Sequence, residues 1–165
     1  MALNAYMFLQ LNGTDIEGSS SVATVAGVDV SRAIELVECR FRVARAETAE
    51  SRRGSVRFAH APFWALKRID RATPLLLQGF VQNQQVDATI RFFKSSAETG
   101  EMSNYFNIEL RQGRINLVEG HLPNQLEPAS AGQLSMEAFE IVYQTMTVRH
   151  NFPSVEFELP AIDIR

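Results

Sequence analysis

The chain has 165 residues, 45% of them hydrophobic, and a formal net charge of −3. One domain with an ordinary core is expected, and a disordered chain is excluded. The mildly acidic balance argues against nucleic-acid binding, which needs a clustered basic surface, and no apolar run is long enough to span a membrane.

The cations are 14 Arg but only two Lys, Lys67 and Lys94. Arginine is preferred where a guanidinium meets carboxylates at protein interfaces. A GC-rich genome gives the same bias, and both readings stay open. Cys39 is the single cysteine. It reads as a buried thiol in a strand, and with no disulfide possible within the chain, folding in a reducing compartment is expected. Met1 to Leu11 lacks the basic region and long apolar run of a cleavable signal peptide. Asn12-Gly13-Thr14 matches a glycosylation sequon, an empty match without a secretory signal.

Tyr6 to Leu11 is a short strand closed by the turn signal Asn12-Gly13. Thr14 to Ser21 is a polar loop. Val22 to Val30 is strand-like, with Gly27 as a bulge or bend inside it. In Ile34 to Ala44, Val37, Cys39, Phe41 and Val43 alternate with Glu38, Arg40 and Arg42, which predicts one buried face. Residues 45–54 are charged and lack any large apolar residue, so they form an exposed excursion. Val56 and Phe58 resume the alternation, and Phe63 to Ile69 is a strand.

Next comes Arg68-Ile69-Asp70-Arg71-Ala72-Thr73-Pro74. The Thr73 hydroxyl is placed to accept an amide proton of the first helical turn, and Pro74 at the first helical position loses no bond. A short helix over about 73–82 follows, with Leu75 to Leu77 and Phe80 as its apolar face, ended by Gly79 and Gln82-Asn83-Gln84-Gln85. One short helix among strands must brace a sheet.

Val86, Ala88, Ile90 and Phe92 form the inward face of the clearest strand. Asn104 to Leu110 is another, Gln112-Gly113 reads as a turn, and Arg114 to Glu119 returns. Residues 120–132 are a long connection. Leu134 to Arg149 reads as one long strand, with Phe139, Ile141 and Tyr143 on one face and Val142, Met146 and Val148 on the other. Val155 to Leu159 is an edge strand between Pro153 and Pro160. The fold class is mainly β: a two-sheet β-barrel or sandwich of about eight to nine antiparallel strands with one short α-helix. A strand apolar on both faces needs a cover, such as another subunit.

No catalytic constellation stands out. His60, His121 and His150 are far apart without metal-ligand spacing, so no metal site is expected. There is no phosphate loop and no nucleophile elbow, hence no cofactor and no enzymatic activity. Trp64 is read as packing in the core or at an interface.

The order of these pieces resembles the Hcp family, the haemolysin-coregulated proteins of the type VI secretion system. Met7 to Gly13 with Ile16-Glu17-Gly18-Ser19 looks like the family's first strand and turn. His60 to Phe63 followed by Lys67 to Leu76 is similar to its central strand-to-helix signature, in which Asp70, Thr73 and Pro74 fall. Val86 to Lys94, Tyr105 to Leu110 and Glu137 to Val148 match its later strands. The resemblance implies a single tube domain over 1–165. It also implies homohexameric rings that stack into a tube driven by a contractile sheath, with effectors in the lumen and a spike protein at the tip. Partners would include the baseplate. The protein would fold in the cytoplasm and leave without a cleaved signal. The chain departs from the family in its charged loop, 45–54, and its tail, 151–165. A phage-tail-like injection particle is a related alternative, and a monomeric small-ligand barrel is one of a different class. Within the charged loop, Glu47, Glu50, Arg52 and Arg53 are candidates for the ring-to-ring contact, because mixed signs allow many weak pairs.

Overall fold

The computed structural model describes residues 3–45 and 58–159. Its elements are β1 (Leu3–Leu11), β2 (Thr14–Ile16), β3 (Thr24–Val25), β4 (Val28–Asp29), β5 (Ile34–Arg40), β6 (Val43–Arg45), β7 (Phe58–His60), β8 (Phe63–Arg68), α1 (Thr73–Val81), β9 (Val86–Ser95), β10 (Met102–His121), β11 (Met136–Val142), β12 (Thr145–Asn151) and β13 (Ser154–Leu159). Glu47, Glu50, Arg52 and Arg53 lie outside the described residues.

The strands pair antiparallel. A nine-stranded sheet runs β11-β8-β5-β1-β9-β10-β12-β13, with β2 on β1. β10 serves two walls: its first half pairs with β9 and β12, and Arg114 to His121 pairs with β11. Because β11 also pairs with β8, the hydrogen-bonded path turns back on itself around the core. The mainly β fold with one short helix is as the sequence patterning predicts.

Most turns follow their local chemistry. Asn12 and Gly13 take φ of 48° and 79°, the pair of positive values a two-residue hairpin needs. Ala26 and Gly27 do the same at 50° and 75°. Gly27 therefore does not bend one strand. It closes the hairpin of β3 and β4, which corrects the single strand over Val22 to Val30.

Three other expectations fail for reasons visible in the register. Leu36 faces Lys67 but Glu38 faces Leu66, so Val37 is an extra residue in β5. Such a bulge exchanges the faces, so the even positions point inward before it and Cys39 after it, while Phe41 and Val43 lie beyond the end of β5, Val43 in the separate β6-β7 pair. Ile34 and Leu36 are buried, whereas Val37, Phe41 and Val43 are exposed and Cys39 is half-buried. Gln112-Gly113 is not a hairpin turn either. β10 runs through it with a register slip, where Gln112 has φ 51°. A Cβ on Gly113 would sit 2.7 Å from the Val142 carbonyl oxygen, so glycine permits the strand to cross between walls. The long strand from Leu134 divides into β11 and β12 at Tyr143 and Gln144. That joint reverses the phase, and Phe139, Ile141, Tyr143 and Met146 all enter one core.

The main core joins Met7, Leu9 and Leu11 of β1 to Val86, Ala88 and Ile90 of β9 and to Ile108 and Leu110 of β10. On the opposite face of β1 and β9, Tyr6 and Phe93 are also buried. They meet edge to face at 5.8 Å under Val25, Val30 and Ala33, so the segment carrying β3 and β4 covers this wall. Trp64 lies on the outer face of β8, with the Arg40 guanidinium 4.4 Å over its ring.

Candidate functional site

The strand-to-helix signature is built around a lysine. In β8 the inward positions are Phe63, Ala65 and Lys67; in β11 they are Glu137, Phe139 and Ile141. The register sets Glu137 opposite Lys67, so a cation and an anion are buried face to face, at 0% and 1% exposure. The Lys67 ammonium lies 2.8 Å from Glu137 Oε1 and 2.7 Å from Asp70 Oδ1. It also donates to the Arg68 carbonyl at 3.0 Å and to Thr73 Oγ1 at 3.2 Å. An ammonium has three protons and no acceptor, and here every donor direction meets oxygen. Burial without such partners would be prohibitive.

Asp70 and Thr73 belong to this centre rather than to a simple helix cap. The Thr73 hydroxyl donates to Glu137 at 3.2 Å and accepts the Asp70 amide at 3.2 Å. The helix cap position is Ala72, with no side-chain cap bond, which corrects the role expected of Thr73. The capping work falls to Asp70: its Oδ1 accepts the Ala72 amide at 2.9 Å. The exchange between Asp70 and Thr73 has the reciprocal logic of a capping box one turn earlier. Pro74 sits in the first turn as expected. The other Asp70 oxygen accepts the Ser19 amide at 2.8 Å, and Arg71 Nε donates to the Gly18 carbonyl at 2.6 Å. Gly18 presses on the backbone of Ala33 and Ile34, where a Cβ would come within 2.5 Å. One cluster thus joins β8, α1, β11 and the loop after β2.

Sequence reasoning missed Lys67 and Glu137 as partners. The signal was present, since both occupy inward phases of strands whose other inward residues are apolar.

The surfaces around this centre carry unmatched apolar groups. Only Leu76 and Gly79 of α1 are buried, while Leu75, Leu77, Phe80 and Val81 are exposed, contrary to the expected bracing face. Gly79 explains the narrow contact: its Cα approaches Leu11 and Ile115 so closely that a Cβ would lie 2.9 Å and 3.2 Å from their methyls. Among the described residues β13 pairs with β12 alone, and five of its six residues are exposed, including Val155 and Phe157.

His60 stacks between Phe58 at 5.4 Å and Tyr143 at 5.3 Å. Burial holds its pKa below the ordinary value. Among the described residues no group of three His, Cys, Asp or Glu side chains could hold a metal. No helix among them is long and apolar enough to cross a membrane.

A sequence family described as type VI secretion system effector, Hcp, matches residues 8–150. The sequence has no significant match among curated proteins. Solved structures share the fold. One described as an Hcp protein superposes with a TM-score of 0.82 at 16% identity, covering 98% of this chain and 99% of its own. A doubly substituted Hcp1 from E. coli EAEC 042 gives 0.79 at 21% identity, covering 96% and 99%. Hcp3 from Pseudomonas aeruginosa, a secreted protein, gives 0.74 at 16%, covering 98% and 100%. At these identities the structures speak to fold, and the matched span speaks to descent: the chain belongs to the Hcp family of the type VI secretion system.

Proposed function

We propose that this chain forms homohexameric rings that stack into the inner tube of a type VI secretion system. The tube is expelled by the contractile sheath from its baseplate with a spike protein at its tip, and effectors ride in the lumen. The protein folds in the cytoplasm and is then delivered outside the cell. The observation that carries this reading is the family match across 8–150. It is supported by the exposed apolar side chains of α1 and by the open edge of β13, surfaces that a lone subunit leaves in water. A closed ring needs two different patches of one subunit to meet, and the proposed contact joins these two. The role is structural, with no reaction assigned.

Negative-stain microscopy of the purified protein tests the reading. Six-fold rings, with short stacks at high concentration, are expected. Dispersed monomers at high concentration would overturn it.

A further inference from the structure

One end of the fold carries a concavity outside the buried lysine centre. It forms where the turn after α1, the slip in β10 and the joint between β11 and β12 come together. Gln85, Gln112, Arg114, Val142, Tyr143 and Gln144 line it, and its volume is about 520 Å³. That lies within the range of ligand-sized pockets, about 300–1,000 Å³.

The chemistry of the lining is uneven. Arg114 is half-buried, and its Nη1 donates to the carbonyl of its neighbour Gly113 at 2.7 Å. Arg114, like Arg68 and Arg91, has no carboxylate partner among the described residues, and it is the one of these that lines the concavity. Asp87, beside the site, is already engaged. Its Oδ1 accepts the Gln112 amide at 2.9 Å and its Oδ2 accepts Gln85 Nε2 at 3.2 Å. Tyr143 is 6% exposed, and its buried hydroxyl has no hydrogen-bond partner among the described residues. Arg114 thus brings a positive charge to the concavity that no carboxylate among the described residues neutralises.

The remaining lining specifies the ligand. A guanidinium fork matches a carboxylate through two parallel hydrogen bonds. Three glutamine amides each donate and accept, as a peptide backbone requires. Val142 adds an apolar wall. One positive charge suits a monoanion, whereas a phosphate group would call for a second cation, and none lines this site. We propose that this concavity binds a carboxylate-bearing peptide segment of a partner protein, with Arg114 as the charge partner and Gln85, Gln112 and Gln144 as backbone contacts. The proposal does not depend on ring or tube formation.

Fluorescence anisotropy with labelled pentapeptides tests it on the full chain. One peptide ends in a free carboxylate, one is the same peptide amidated, and one is amidated with an internal aspartate. Binding of a carboxylate-bearing peptide is expected, with the neutral amide weaker and affinity falling as salt rises. Preference for the free end would identify a chain terminus as the source, and preference for the aspartate an acidic side chain. Arg114→Gln should weaken binding about tenfold or more, because it removes a charged hydrogen-bond donor. Arg114→Lys, which keeps the charge without the fork, should fall between, with thermal melts confirming that both variants fold. The proposal is overturned if no peptide binds, if the amide binds equally well, if Arg114→Gln binds like the wild type, or if inorganic phosphate competes better than acetate. Ring formation, followed separately by sedimentation, should be unchanged in these variants and keeps the two readings distinguishable.

Discussion

Lys67 is one of two lysines in a chain that otherwise uses arginine, and it is the one buried without exposure. A compact ammonium at the end of a flexible stem can reach four oxygens in a space where a planar guanidinium would not fit the same tetrahedral demand. Lys67→Met would leave Asp70 and Glu137 buried together with no cation. Removing one partner of a buried charge cluster costs about 3–5 kcal/mol, so a loss of that order is expected in chemical denaturation. A variant as stable as the wild type would show that the carboxylates relax into water. Thr73→Ala strands the Asp70 amide and one hydrogen bond of Glu137. Its expected cost is about 1–3 kcal/mol, and Thr73→Ser should recover most of it. His60 adds a pH dependence whose sign is fixed by its depressed pKa. The unfolded chain takes up this proton first as pH falls below about 6.5, so His60 costs stability on acidification and costs none above that value. Melting temperatures between about pH 5 and 7 should slope less in His60→Phe, which keeps the stack on Tyr143.

At the scale of elements, two glycines set how closely strands and helix meet. Alanine at Gly79 would push against methyl groups of Leu11 and Ile115, which can rotate. Alanine at Gly113 would meet two carbonyl oxygens, of Val142 at 2.7 Å and of Val86 at 3.2 Å, and backbone cannot step aside. Overpacking costs about 1–3 kcal/mol, and Gly113→Ala belongs at or above the top of that range. Gly79→Ala should cost less, since alanine recovers about 1 kcal/mol of helix propensity. Urea midpoints of the two variants rank them directly. The elements also show why strand reading succeeded in some places and failed in others. In β9 the alternation of Val86, Ala88 and Ile90 is undisturbed, and period two identifies the buried face. In β5 a single extra residue, Val37, reverses the phase, and nothing in the local pattern announces it. At Tyr143 and Gln144 an apolar run passes through a joint without any glycine or proline to mark it.

At the scale of the molecule, the exposed residues of α1 and the edge of β13 fit a subunit made to be surrounded by copies of itself. In the proposed tube, the charged loop is the candidate for the ring-to-ring contact. Arg52→Glu with Arg53→Glu should leave rings intact while tube formation and secretion fall, because exposed pairs worth about 0.2–1 kcal/mol each act together across a ring. Normal secretion by the double variant, assayed in culture supernatant, would remove the loop from the contact.

By itself the sequence determined the local structure: a β-rich chain, the Asn12-Gly13 hairpin, the helix beginning at Thr73-Pro74, and the family likeness carried by Lys67 to Leu76. These rest on short-range sterics and periodicity, which neighbouring residues settle among themselves. Tertiary structure decided what depends on distant partners. It set Glu137 opposite Lys67 across a strand pair. It turned Thr73 from a cap into a bridge between α1 and β11, and it set Arg114 in a concavity where none of the described carboxylates pairs with it. A side chain's phase in one strand says which way it points, but the register with another strand decides what it meets.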